Sequence, residues 1–112
     1  MNQVDFETEK SVRRFLDLIH PQYDFVAAIV YGSRARGTYS HDSDADVAIL
    51  LNGERQRRLP TTLAMADVAY EVLLETGINI SPLPVWIEEW EHPERFSNPA
   101  LLQNIAREGV RL

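Results

Sequence analysis

Tyr31-Gly32-Ser33-Arg34-Ala35-Arg36-Gly37, followed after a short polar loop by Asp42-Ser43-Asp44-Ala45-Asp46-Val47-Ala48, is the stretch that decides how this chain is read. A Gly-Ser turn at Gly32-Ser33 is separated by ten residues from the pair Asp44 and Asp46. Gly32 lets the backbone approach a phosphate with no Cβ in the way. The Ser33 hydroxyl can donate a hydrogen bond, and a helix opening here presents unpaired amides and the positive end of its dipole to an anion. Taken alone, a Gly-Ser pair is more often only a turn that caps a helix. The two aspartates alter that weighing. Side chains alternate along a strand with period two, so Asp44 and Asp46 share a face and repel each other. Mg²⁺, a hard ion that accepts one or two carboxylates together with phosphate oxygens, is the natural compensation. An Asp-x-Asp alone is weak evidence, because solvated aspartates are common at strand starts. The whole combination at this separation arises by chance in on the order of one chain in a thousand of this length.

Outward from the motif, the chain alternates strand-like and helical segments. Phe25 to Tyr31 is a continuous run of apolar, β-favouring residues closed by Gly32, too short for a helix and suited to a buried strand. Asp46 to Leu51 reads as a second buried strand, ended at the Asn52-Gly53 turn. Upstream, Val12, Phe15, Leu16 and Ile19 fall at helical spacing between Asp5, a cap, and Pro21, a stop. Downstream, Leu63, Ala66, Tyr70, Leu73 and Leu74 repeat at helical intervals from Leu59 to Glu75, and Gly77 stands where a left-handed C-terminal cap belongs. Ile78 to Trp86 predicts a strand in which Pro82 and Pro84 cannot donate to a ladder, so it lies at an edge or carries a bulge. Asn98 as cap, Pro99 at the first helical position, Leu101, Leu102 and Ile105 on one face and Gly109 after the end predict a closing helix.

Composition bounds what such a chain does. Its 112 residues, 45% of them hydrophobic, make one compact domain over residues 1–112. A formal net charge of −6 argues against stable binding of nucleic acid, which needs a basic surface. Cysteine is absent, which removes disulfides and thiolate zinc sites and fits a reducing compartment, and the three histidines are scattered. The acidic, polar start and the lack of a long apolar run predict a cytoplasmic protein with no membrane segment.

Gly32-Ser33 and Asp44-Ala45-Asp46, at this separation, resemble the signature of the DNA polymerase beta-like nucleotidyltransferase superfamily. The flanking words Tyr31 to Gly37 and Asp42 to Ala48 are similar to its MNT group, small proteins usually paired with a HEPN protein in toxin–antitoxin systems. The resemblance implies an α/β (α+β) polymerase beta-like fold, a mixed and largely antiparallel sheet with helices packed mainly on one face. It implies transfer of AMP from ATP to a hydroxyl, typically a tyrosine of a HEPN-domain toxin, within a hetero-oligomer. Asp44 and Asp46 would then be the catalytic acids and Mg²⁺ ligands, with Gly32, Ser33 and Arg36 contacting the nucleoside triphosphate. Arg34 is a further source of positive charge, although for both arginines a solvent-facing or ion-paired role is as common as phosphate contact.

One feature departs from the family pattern. Active members carry a third acid on a later strand, and here Ile78 to Trp86 offers only Asn79 and Ser81. Neither can act as a base near neutral pH. Glu71 and Glu75 lie on the preceding helix, where glutamates usually face solvent. His41 and Asp42 sit in the motif loop, where solvated side chains are the rule. Trp86, Trp90 and Phe96, with His92, suit a stacked base, a partner surface or packing of the C-terminal segment. Tyr31 and Tyr39 flank the motif as possible modification sites, Tyr31 more simply as core. Arg55, Arg57 and Arg58 form a basic cluster in a linker, a pattern that is usually solvated. Two functional classes remain open on these residues: an adenylyltransferase acting on a protein, and a degenerate nucleotide-binding module that neutralises its partner by contact. Transfer to a small molecule is a third, and this chain lacks the extra domain that would build such an acceptor pocket.

Overall fold

The computed structural model describes residues 4–112. Asp5 opens the first helix, α1 (Phe6–Ile19), by accepting the Thr8 amide at 3.1 Å, which satisfies one of the orphan donors of the first turn. Then follow β1 (Phe25–Tyr31), the single turn α2 (Ser33–Arg36), β2 (Ala45–Leu51), α3 (Arg58–Thr76), β3 (Ile80–Trp86), α4 (Ile87–Glu91), a 3₁₀ turn at Pro93–Arg95, α5 (Pro99–Glu108) and the short β4 (Val110–Arg111). Every helix and strand expected from the sequence is present, with ends shifted by one or two residues.

The sheet runs β3-β2-β1-β4, antiparallel except for the parallel β2–β3 pair. This is the mixed, largely antiparallel sheet that was expected. β3 lies at its edge, in unbroken register with β2 from Ala45↔Ile80 to Leu51↔Trp86, so no bulge is needed to accommodate the prolines. Pro82 and Pro84 are two residues apart, and their missing donors therefore fall on one side of the strand, the side away from β2. On that outer side the Pro84 carbonyl accepts Arg58 Nη1 at 2.6 Å.

Two cores sandwich the sheet. On one face Val12, Phe15 and Ile19 of α1 and Met65, Ala69 and Val72 of α3 meet Val30, Val47 and Ile49. On the other, Leu102 and Ile105 of α5 with Phe96 cover Ile29, Ala48, Leu50 and Val85. The two long helices thus share one face and α5 closes the second. Gly109 is essential to that closure. Its backbone is extended rather than left-handed, and a Cβ there would overlap both Ile29 Cγ2 and the Ile105 carbonyl.

α3 differs from its sequence signal. The repeat that predicts it includes Leu63, Tyr70 and Leu74, which are exposed, while the smaller residues Met65, Ala69 and Val72 form the buried side. The helix is apolar on two sides, and periodicity alone does not say which one meets the sheet. The arginine cluster also differs from a solvated linker. Glu89 on α4 is completely buried and receives Arg58 Nη1 at 3.0 Å, Arg58 Nη2, and the Trp86 amide at 3.1 Å, with Arg55 Nε at 3.5 Å. The Arg58 guanidinium lies 4.5 Å from the Phe96 ring centre and 5.6 Å from that of Trp86. Trp86 and Phe96 are therefore packing residues, held around a buried ion pair.

Candidate active site

β1 ends at Tyr31, and the chain reverses through Gly32, whose φ of 74° and ψ of −155° are open to glycine alone. A Cβ at this position would overlap Oδ2 of Asp46. Gly32 O accepts the amides of Ala35 and Arg36, each at 3.1 Å, which makes α2 a single helical turn. The Ser33 and Arg34 amides precede these first intrahelical bonds.

Asp46 reaches this turn because β1 and β2 are antiparallel. Tyr31 and Asp46 are direct partners in the ladder, so their side chains share a face, the one covered by α5 further along. Asp44 is exposed and Asp46 half-buried. Burial and the neighbouring Asp44 charge raise the Asp46 carboxyl above its ordinary value, and Arg36 only partly opposes them. Burial and the Asp46 charge push the Tyr31 phenol up to about 12. Two carboxylates and a neutral phenol thus leave this corner short of positive charge. That is the condition under which a divalent cation binds. Asp44 and Asp46 suit Mg²⁺, which keeps several waters and takes its remaining oxygens from phosphates. Among the described residues no group of three His, Cys, Asp or Glu side chains forms a metal cage.

Of the residues singled out from the sequence, Gly32, Asp46 and Arg36 come together with Asp44, and Ser33 follows directly at the start of α2. Arg36 is exposed, with Nη1 3.9 Å from Glu108 on α5. The strand position beside Asp46 is Ser81, and two residues earlier the main-chain carbonyl of Asn79 accepts the Ala45 amide at 2.9 Å. Glu71 and Glu75 are not brought in. They sit on α3, across the sheet, and Glu75 pairs with Arg14 at 2.9 Å. His41 and Asp42 are exposed, and the Ser40 hydroxyl holds Asp42 below the usual carboxylate range.

Arg34 has a different role from the phosphate contact considered above. It is 4% exposed. Its Nε donates to Ser43 O at 3.0 Å, Nη1 to Thr8 Oγ1 at 2.8 Å and Nη2 to His41 O at 3.4 Å, with the guanidinium 4.5 Å from the Tyr39 ring centre. Thr8 in turn donates to Asp5, whose carboxylate raises the Tyr39 phenol above its ordinary value. The loop joining the two halves of the motif is thereby fastened to α1. Nothing in the sequence marks these partners, because two of the three are main-chain carbonyls.

Residues 10–105 match the family model described as "Nucleotidyltransferase domain". Over 84 residues the chain is 32% identical to a Methanocaldococcus jannaschii protein described as "Putative protein adenylyltransferase", covering 75% of this chain and 53% of the relative. The chain therefore spans about half the length of that curated relative. Its fold is similar to the crystal structure of a "putative nucleotidyltransferase" from Sulfolobus solfataricus, with a TM-score of 0.54 at 17% identity over 99% of this chain and 89% of the other.

Proposed function

Because the chain belongs to the nucleotidyltransferase domain family, we propose that it transfers AMP from ATP to a protein hydroxyl. The acceptor in this reading is a tyrosine of a HEPN-domain toxin, which the modification neutralises. The observation that carries it is the seating of the Asp46 carboxylate directly on Gly32, so that acids and phosphate turn share one spot. The protein adenylyltransferase description of the relative supports a protein acceptor.

In this reading the amides of Ser33 and Arg34 and the Ser33 hydroxyl hold the departing phosphates, and Arg36 adds positive charge at the open side. Asp44 and Asp46 hold Mg²⁺, which supplies charge neutralisation on the phosphates when bound. The acceptor oxygen bonds to the α-phosphorus, the bond from that phosphorus to the bridging oxygen breaks, and pyrophosphate leaves. Ser81, beside Asp46, cannot serve as a base near neutral pH, so the acceptor's proton passes to solvent. Co-expression with a HEPN-domain partner and intact-mass analysis should find the partner heavier by one adenylyl group, and Asp44→Ala/Asp46→Ala should abolish the addition. An unmodified partner under every condition would refute the transfer.

Ser81 also favours a second reading, a nucleotide-binding module that neutralises its partner by contact. There, Asp44→Ala/Asp46→Ala leaves neutralisation intact. Loss of neutralisation with the complex preserved would exclude it.

A further inference from the structure

α3 lies on the sheet through Met65, Ala69 and Val72, yet its outer side is not polar. Leu59, Leu63, Tyr70 and Leu74 are 64%, 57%, 59% and 70% exposed. At 100° per residue these four fall within about 60° of one another on the helix, and from Leu59 to Leu74 the stripe runs for about 22 Å. Scattered exposed apolar residues need no explanation, but a continuous row along one helix does. The other large exposed hydrophobics among the described residues, Phe6 and Val26, stand on α1 and β1.

The borders of the stripe say what kind of surface covers it. Asp67 and Glu71 are exposed along one flank; the helix's own Arg58 is turned inward to Glu89, and the cation that Glu71 feels is Arg14 of α1, whose hydrogen bonds go to Glu75. We propose that this face of α3 docks a helix of another protein, one carrying its own apolar stripe flanked by lysines or arginines. Charge weighs against an antiparallel second copy of this chain, which sets the Asp67 and Glu71 flank against itself, and the net charge of −6 adds to the repulsion between any two copies. The docking face lies across the sheet from Asp46 and Ser81, so a bound helix leaves the phosphate turn uncovered. The inference is therefore independent of whether nucleotide transfer occurs.

The experiment uses two labelled peptides, each an 18-residue helix with leucines at positions i, i+3, i+4 and i+7, one flanked by lysines and the other by glutamates. Fluorescence anisotropy with the full chain should show binding of the lysine-flanked peptide only. Leu63→Glu/Leu74→Glu should weaken it by at least about tenfold, because truncating central apolar anchors has effects of that size. Asp67→Lys/Glu71→Lys should reverse the preference in favour of the glutamate-flanked peptide, a gain that misfolding cannot produce. The proposal fails if neither peptide binds, if both bind equally, or if the charge reversal leaves the preference unchanged. It also fails if sedimentation finds the parent chain dimeric and Leu63→Glu/Leu74→Glu monomeric, which would give the face to a second copy.

Discussion

Gly32 and Asp46 fit against each other so closely that a single methyl group separates the working arrangement from a broken one. Gly32→Ala adds a Cβ into the Asp46 carboxylate and forces a non-glycine residue into a backbone region that costs on the order of 1–3 kcal/mol. We expect chemical denaturation to show a loss of that order, and calorimetry with ATP and Mg²⁺ to show affinity lowered by about tenfold or more. Asp46 also predicts a pH dependence. Its folded pKa is raised above 3.8, so the stabilisation linked to this group is complete below that value and is lost as pH rises through the higher folded value. In chelator, Asp46→Asn should remove this decline from a denaturation series run across the weakly acidic range. A parent and variant with parallel curves would show that the carboxyl is not perturbed.

At the scale of elements, the start of α1 rests on one side chain. Burial works to raise the Asp5 carboxyl, but hydrogen bonds from Thr8 and Tyr39 outweigh it and the net direction is down. Asp5→Ala removes the cap and should cost about 1 kcal/mol in thermal or chemical denaturation near neutral pH. That difference should shrink as the pH falls through the lowered value, where the parent loses the anionic cap as well. Caps of this kind were legible in the sequence because their signal lies within one helical turn: Asp5, the Asn98-Pro99 pair and Gly77 all occupy the predicted positions. The meeting of Gly32 with Asp46 was legible too, since two apolar strands joined by a polar loop return the second acid to the first turn. α4 and β4 were not, being five and two residues long with no period to read. The buried face of α3 was hidden because two apolar stripes compete on one helix. The grip of Arg34 was hidden because its acceptors are set by the course of the backbone rather than by residue type.

On the scale of the molecule, the Arg58–Glu89 pair ties elements from both layers. Arg58 opens α3, which belongs to the first core, and its guanidinium lies between Trp86 of that core and Phe96 of the second. Arg58→Met leaves the fully buried Glu89 carboxylate without its principal counter-ion. The expected loss is about 3–5 kcal/mol by denaturant titration, because breaking one partner of such a pair costs far more than the pair contributes. Replacing both, as Arg58→Met/Glu89→Leu, should recover most of the loss, and a double variant no better than the single would show that the charges are not coupled.

The prolines of β3 have a consequence beyond their place in the ladder. An exposed rim of sheet is a template on which a foreign strand can grow, and this one withholds its hydrogen atoms at alternate positions, with the guanidinium of Arg58 standing over the Pro84 carbonyl that follows them. Fibril growth or strand exchange from that rim is blocked chemically, which lets the protein keep an apolar strand at the boundary of its fold without aggregating through it.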